Sequence, residues 1–208
     1  MELTNIKINF LGDSITEGAG ASSPERCYVE TLTRKFGLAV GRNYGIGGTR
    51  FARQRKPSEN PRYDLDFCSR FPGMDPDADI ILIFGGTNDH GHGDAPMGSD
   101  GDRTPETFIG ACHTLFSGVK EAFPQAKIAV ATPLHRRIET RADGIRLEDY
   151  VNHIRSIAAV YNLPLLDLYA TSAIRTETLD ILTTDGLHPN DEGHAILAEE
   201  IGAFLQTL

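Results

Sequence analysis

The sequence predicts an α/β chain, a parallel sheet covered by helices on both faces, and three observations predict it. Short apolar runs recur along the 208 residues, longer stretches with helical spacing separate them, and helix-start signals mark several junctions. Strands are expected at 6–11, 38–44, 79–84, 127–132 and 164–168. No composition break, linker, repeat or low-complexity tract divides the chain, so one domain spanning 1–208 is expected.

Helices fill the gaps in order. Ser23-Pro24-Glu25 reads as an N-cap with proline in the first turn, followed by Val29, Leu32 and Phe36 on one face. Segment 50–77, rich in Arg, Pro and Asp, offers one apolar patch at Leu65 and Phe67 and is expected to hold a brief helix between loops. Thr104-Pro105-Glu106 repeats the start signal ahead of Phe108, Cys112, Leu115 and Val119. Leu147, Val151, Ile154, Ala158 and Tyr161 form a third stripe. The last, Leu197, Ile201, Phe204 and Leu208, follows a cap at Asn190. These stripes are core faces rather than ligand boxes.

Composition removes whole classes of function. A net charge of −9 would repel a phosphate backbone, so nucleic acid is not an expected partner. Cys27, Cys68 and Cys112 are odd in number, widely spaced and without a Cys-x-x-Cys, which indicates buried free thiols rather than disulfides or a thiolate metal site. No apolar stretch reaches membrane-spanning length, and no membrane association is expected. Met1-Glu2-Leu3-Thr4 lacks the pattern of a cleavable signal, so a cytoplasmic location is expected for the chain as written; a secreted chain trimmed of its signal would read the same.

The chemistry gathers at the ends of the expected strands. Ser14 follows the first, Gly47-Gly48 the second, Gly85-Gly86-Thr87-Asn88-Asp89 the third, and Asp185-Gly186-Leu187-His188-Pro189 comes after the fifth. In an open parallel sheet the loops at the carboxyl edge are where ligands bind. Ser14, Asp185 and His188 supply the three groups of a serine hydrolase, and the Asp-x-x-His spacing lets a turn aim the carboxylate at the imidazole Nδ1–H while Nε2 faces the serine. Pro189 keeps His188 out of the last helix. With strand order 2-1-3-4-5, the fifth strand lies roughly 14 Å from the first, a gap that a connection of about 20 residues spans easily. The backbone N–H of Ser14, a glycine N–H near 48 and the Asn88 carboxamide would serve a developing oxyanion.

These four segments, in order and at suitable spacing over residues 6 to 200, resemble the four sequence blocks of the SGNH (GDSL-type) hydrolases. The resemblance implies a flavodoxin-like three-layer α/β/α fold on a five-stranded parallel sheet of order 2-1-3-4-5. It implies Ser14 as nucleophile, His188 as general base and acid, Asp185 as its orienting partner, and an oxyanion hole from Ser14, Gly48 and Asn88, with aligning on Asn43 selecting Gly48 over Gly47. Ile15 stands where the family usually has leucine. No organic cofactor is needed.

Other residues carry weaker signals. Asp13 is expected to hold its loop through backbone amides, and Asp89 is expected to be structural. His90-Gly91-His92-Gly93-Asp94 has metal-ligand residue types, yet glycine between the ligands and no expected helix make it a solvated active-site loop, with no metal expected. His90, His135 and Arg136 are expected to touch substrate from the rim. Loop 90–103 should overhang the site, and with only Ala95 and Met97 apolar it suits a short acyl group on a polar molecule, such as an acetylated sugar, better than a lipid. The same groups would serve a thioesterase or lysophospholipase. A carbohydrate binder that cleaves nothing and a metal-dependent phosphoesterase using the histidine loop are readings from other classes.

Overall fold

The computed structural model describes residues 1–208. Five parallel strands, β1 (Lys7–Gly12), β2 (Val40–Gly45), β3 (Ile80–Phe84), β4 (Lys127–Ala131) and β5 (Leu165–Leu166), form one sheet in the order β2-β1-β3-β4-β5. This is the predicted sheet, with its strand bounds moved by a residue or two. The carboxyl ends line up: Gly12 pairs with both Gly45 and Phe84, Phe84 with Ala131, and Ala131 with Leu166.

Both faces of the sheet are buried, so its central strands are apolar apart from Lys7, Asn9 and Lys127, and their apolar residues alternate in which core they enter. Ile8, Phe10, Ile80, Leu82, Phe84, Ala129 and Ala131 meet α2 (Tyr28–Phe36) and α9 (Asp191–Leu205). Leu11, Ile81, Ile83, Ile128 and Val130 meet α5 (Phe108–Ala122) and α6 (Leu147–Val160), with Phe51 and Phe67 filling the space beside them. Fully burying each of these Ile, Leu, Val and Phe side chains contributes about 1.5–3 kcal/mol, which is what holds the three layers together. Short helices complete the chain: α1 (Ser14–Glu17), α3 (Phe67–Arg70), α4 (Thr87–His92), α7 (Leu168–Thr171) and α8 (Leu179–Leu182). No helix is long and apolar enough to cross a membrane. All three cysteines are buried free thiols, each raised in pKa by burial.

Two start signals were misplaced by a few residues. Pro24 begins a 3-10 turn, Pro24–Arg26, and α2 starts only at Tyr28. Thr107, not Thr104, caps α5, its hydroxyl accepting from Gly110 N at 3.1 Å. Asn190 does cap α9, accepting from Glu192 N and Gly193 N at 3.1 and 3.0 Å. That helix ends at Leu205, short of Leu208.

Candidate active site

Ser14 heads α1 directly after β1, and Asp13 caps that turn by accepting from Ile15 N at 3.0 Å. As first residue of the helix, Ser14 has a backbone N–H without an intrahelical acceptor. The turn fits because Gly45 at the end of β2 has no side chain; a Cβ there would lie 2.1 Å from Glu17 N. Burial pushes the Asp13 carboxyl up to about 6, against the opposing pull of the Ile15 amide, His188, Arg70 and Arg136. Arg70 ties the strand ends together, donating to Gly12 O at 3.0 Å, Tyr44 O at 2.7 Å and Thr49 Oγ1 at 3.0 Å.

The structure brings Ser14, His188 and Asp185 into one chain of contacts. Ser14 Oγ lies 2.9 Å from His188 Nε2, and His188 Nδ1 lies 2.7 Å from Asp185 Oδ2. The acid holds its own loop as well, since Asp185 Oδ1 accepts from Leu187 N at 2.9 Å and His188 N at 2.8 Å. Burial works against the Asp185 charge, but the His188 amide and imidazole and the Leu187 amide outweigh it, and its pKa sits below the usual carboxylate value. The side chain is nonetheless 53% exposed, so water screens its charge.

Gly48 and Asn88 stand on the other side of Ser14. Thr49 N donates to Ile46 O at 3.3 Å, closing a turn whose third residue, Gly48, has φ 75°, the left-handed value a type II turn requires. Gly48 N–H has no acceptor within the protein. Asn88 Nδ2 donates one hydrogen to Thr49 O at 3.0 Å. Its neighbour Asp89 accepts from Phe51 N and Ala52 N, both at 2.9 Å, a structural part of the kind expected of it. Asp13 does the same with one amide.

Around these groups opens a cleft of about 590 Å³, lined by Ser14, Gly48, Asn88 and His188 and walled by Glu17, Asn60, Arg62, Tyr63, His92 and Arg136. Ala19 and Leu187 are its aliphatic members. Arg136 therefore reaches the cleft, as expected, anchored by Thr87 O and Thr87 Oγ1 at 3.0 and 3.2 Å. A surface hollow at the opposite, amino edge of the sheet, between Lys120, Phe123 and Leu163, contains none of these groups.

Four expectations need correction. His90 does not face substrate: its ring is buried, edge-on to Tyr150 at 5.7 Å. His135 does not line the cleft either, because its ring is committed to Glu139 at 2.6 Å and stacks on Tyr169 at 4.0 Å. The histidine segment is not a solvated loop; Thr87–His92 is the helix α4, which turns His90 inward and puts His92 four residues from Asn88 on the cleft side. Of the expected loop 90–103, the part beyond His92 does not line the cleft. Ala95 and Met97 pack on the α5–α6 core, and the cover comes instead from Asn60, Arg62 and Tyr63. The residues missed in the sequence are thus His92, Tyr63 and the Glu17–Arg62 ion pair. Of these only His92 left a readable signal, its i, i+4 relation to Asn88.

Comparison with known proteins places this geometry in a family. A crystal structure of a Lactobacillus plantarum protein superposes with a TM-score of 0.85 at 30% identity, covering 98% of each chain. The lipase/acylhydrolase from Enterococcus faecalis shares the fold, with a TM-score of 0.68 at 24% identity over 97% of this chain and 96% of that one. A GDSL lipase of Mycobacterium tuberculosis is 25% identical over 150 residues, 72% of this chain. This chain spans 58% of that relative's length. The sequence model of the GDSL-like lipase/acylhydrolase family matches residues 10–196, from the end of β1 to the middle of α9, and the chain belongs to that family.

Proposed function

We propose that this protein is a serine esterase that removes short acyl groups, acetyl foremost, from a small polar molecule such as a sugar. The observation that carries the reading is the unbroken contact from Ser14 Oγ to His188 Nε2 at 2.9 Å and from His188 Nδ1 to Asp185 at 2.7 Å. His188 takes the Ser14 proton as Oγ attacks the ester carbonyl, and the carbonyl electrons move onto oxygen. Ser14 N–H, Gly48 N–H and the free Asn88 N–H receive that oxyanion. Its collapse expels the alkoxide, which takes the proton from His188 and leaves an acyl-serine. Water, deprotonated by the same imidazole, then releases the acid and restores Ser14.

Two features support a polar substrate. The walls present Glu17, Asn60, Arg62, His92 and Arg136, and no aliphatic lid closes over them. Tyr63, 39% exposed, offers one ring face of the kind on which a sugar stacks. The test is twofold. A fluorophosphonate should label wild type and not Ser14→Ala, and acetylated sugars should be cleaved faster than butyryl or long-chain esters. Equal labelling of the two proteins would reject the nucleophile, and a preference for long chains would reject the substrate class.

A further inference from the structure

We propose that His92 is a positioning residue: seated between Arg50 and Asn88, it fixes which way the Asn88 carboxamide faces and so presents an Asn88 N–H to the cleft. This deepens the serine-esterase reading and rests on it.

The placement of hydrogens decides which way the amide faces. A guanidinium can only donate, and Arg50 Nη2 meets His92 Nδ1 in a short contact. Nδ1 must therefore accept, which places the ring hydrogen on Nε2. That nitrogen lies 3.1 Å from Asn88 Oδ1 and donates to it. With its oxygen pinned to His92, the carboxamide turns its nitrogen to Thr49 O at 3.0 Å. One N–H is used there and the other remains for the cleft that Asn88 lines. Flipping the amide would set Nδ2–H against Nε2–H and Oδ1 against Thr49 O, two donors facing and two acceptors facing, so the flipped state is excluded. Donation to Oδ1 also polarises the amide and strengthens the N–H that remains.

Arg50 connects this to the rest of the site. It is buried, and besides His92 Nδ1 it donates to Tyr63 O at 3.3 Å and His92 O at 3.4 Å. The Tyr63 ring lies over Gly48, so one guanidinium steadies the neighbourhood of two oxyanion donors. Successive residues of 49–52 and α4 are joined in the same way: Thr49 to Asn88, Arg50 to His92, Phe51 and Ala52 to Asp89.

The test compares His92→Phe with His92→Gln on a chromogenic acetate ester. Phenylalanine keeps the ring and loses both nitrogens, whereas glutamine can accept from Arg50 through Oε1 and donate to Asn88 through Nε2. His92→Phe should lower kcat about tenfold while KM stays within about twofold, and His92→Gln should recover most of the loss. In an Asn88→Ala background the phenylalanine change should have no further effect, because the group it positions is gone. A wild-type kcat in His92→Phe, or the same proportional loss without Asn88, would overturn the proposal. Nitrogen-15 NMR of the intact protein supplies a readout independent of turnover: His92 should be the Nε2–H tautomer from roughly pH 6 to 8, and an Nδ1–H tautomer would overturn the relay. Failure of the underlying esterase reading shows differently, as equal turnover by wild type and Ser14→Ala.

Discussion

On one side of Ser14 the loop Thr184–His188 makes its own geometry, for Thr184 N donates to His188 O at 2.8 Å and Asp185 accepts from the two amides that follow. On the other side, Gly48 and Asn88 are held by partners nearly forty residues apart, Thr49 with Asn88 and Phe51 with Asp89. The first wall needs a five-residue turn, with one long-range bond, from Arg137 N to Gly186 O at 2.8 Å. The second needs a turn after β2, a helix after β3 and a buried arginine to meet. Damage should therefore stay confined in the first wall and spread in the second.

The largest effect tests the wall that makes its own geometry. His188→Ala removes the group proposed to move both protons and should lower kcat by about 10⁴-fold or more, with the folded structure unchanged by circular dichroism. A loss below tenfold on a chromogenic acetate ester would deny the imidazole its part in proton transfer. Asn88→Ala comes next. Removing one oxyanion donor lowers kcat by about 10²–10³-fold, and here the loss should come with weakened thermal stability, since Thr49 O and His92 Nε2 both lose their partner. A catalytic loss with no stability change would show that the two walls are equally self-contained.

The same contrast explains what was legible in the sequence. Ser14, the Asp-x-x-His spacing and the sheet order could be read because each follows from local pattern or from one alternation of strand and helix. β5 shrank because Asp167 leaves the strand, takes Arg155 at 2.9 Å and caps α7 through Ala170 N. α4 was hidden because Gly91 and Gly93 lower helix propensity in a stretch whose helix is secured from outside, by the bonds that Asn88, Asp89 and His92 make to 49–52. The cover, Asn60 to Tyr63, sits on a 3-10 turn at Pro61–Asp64 whose place over Gly48 is set by Arg50. Contacts between distant segments have no periodicity to read.

A smaller effect is expected where the cover meets the turn. In Gly48→Ala the new Cβ would lie 2.4 Å from Tyr63 Cδ1 on a backbone with φ 75°. The half-exposed ring can swing away, so stability should fall by only about 1 kcal/mol, from the strained backbone. Because Gly48 N–H moves with that backbone, kcat should fall about tenfold. Steady-state kinetics beside urea unfolding separate the two, and intact kcat would show that the Gly48 N–H is not at the oxyanion.

The last contrast is a difference in sign between the walls as pH changes. Burial pushes Asp89 up to about 7, with the Ala52 and Phe51 amides and the Arg50 guanidinium opposing it. In the unfolded chain an aspartate titrates near 3.9, so between these values the native state binds the extra proton, and the contribution of Asp89 is fully present below the lower value and lost as pH rises toward 7. Asp185 runs the other way. Its native pKa is lowered, so its contribution is present above the unfolded value and lost as pH falls through the native one. Urea midpoints for wild type, Asp89→Asn and Asp185→Asn from acid to neutral pH read both. The advantage of wild type over Asp89→Asn should shrink by more than about 1 kcal/mol between roughly pH 4 and 7, while its advantage over Asp185→Asn should grow as Asp185 ionises and then hold. Parallel curves for the two variants would mean that two amides and Arg50 keep Asp89 ionised in its buried site, and that the walls differ in connectivity alone.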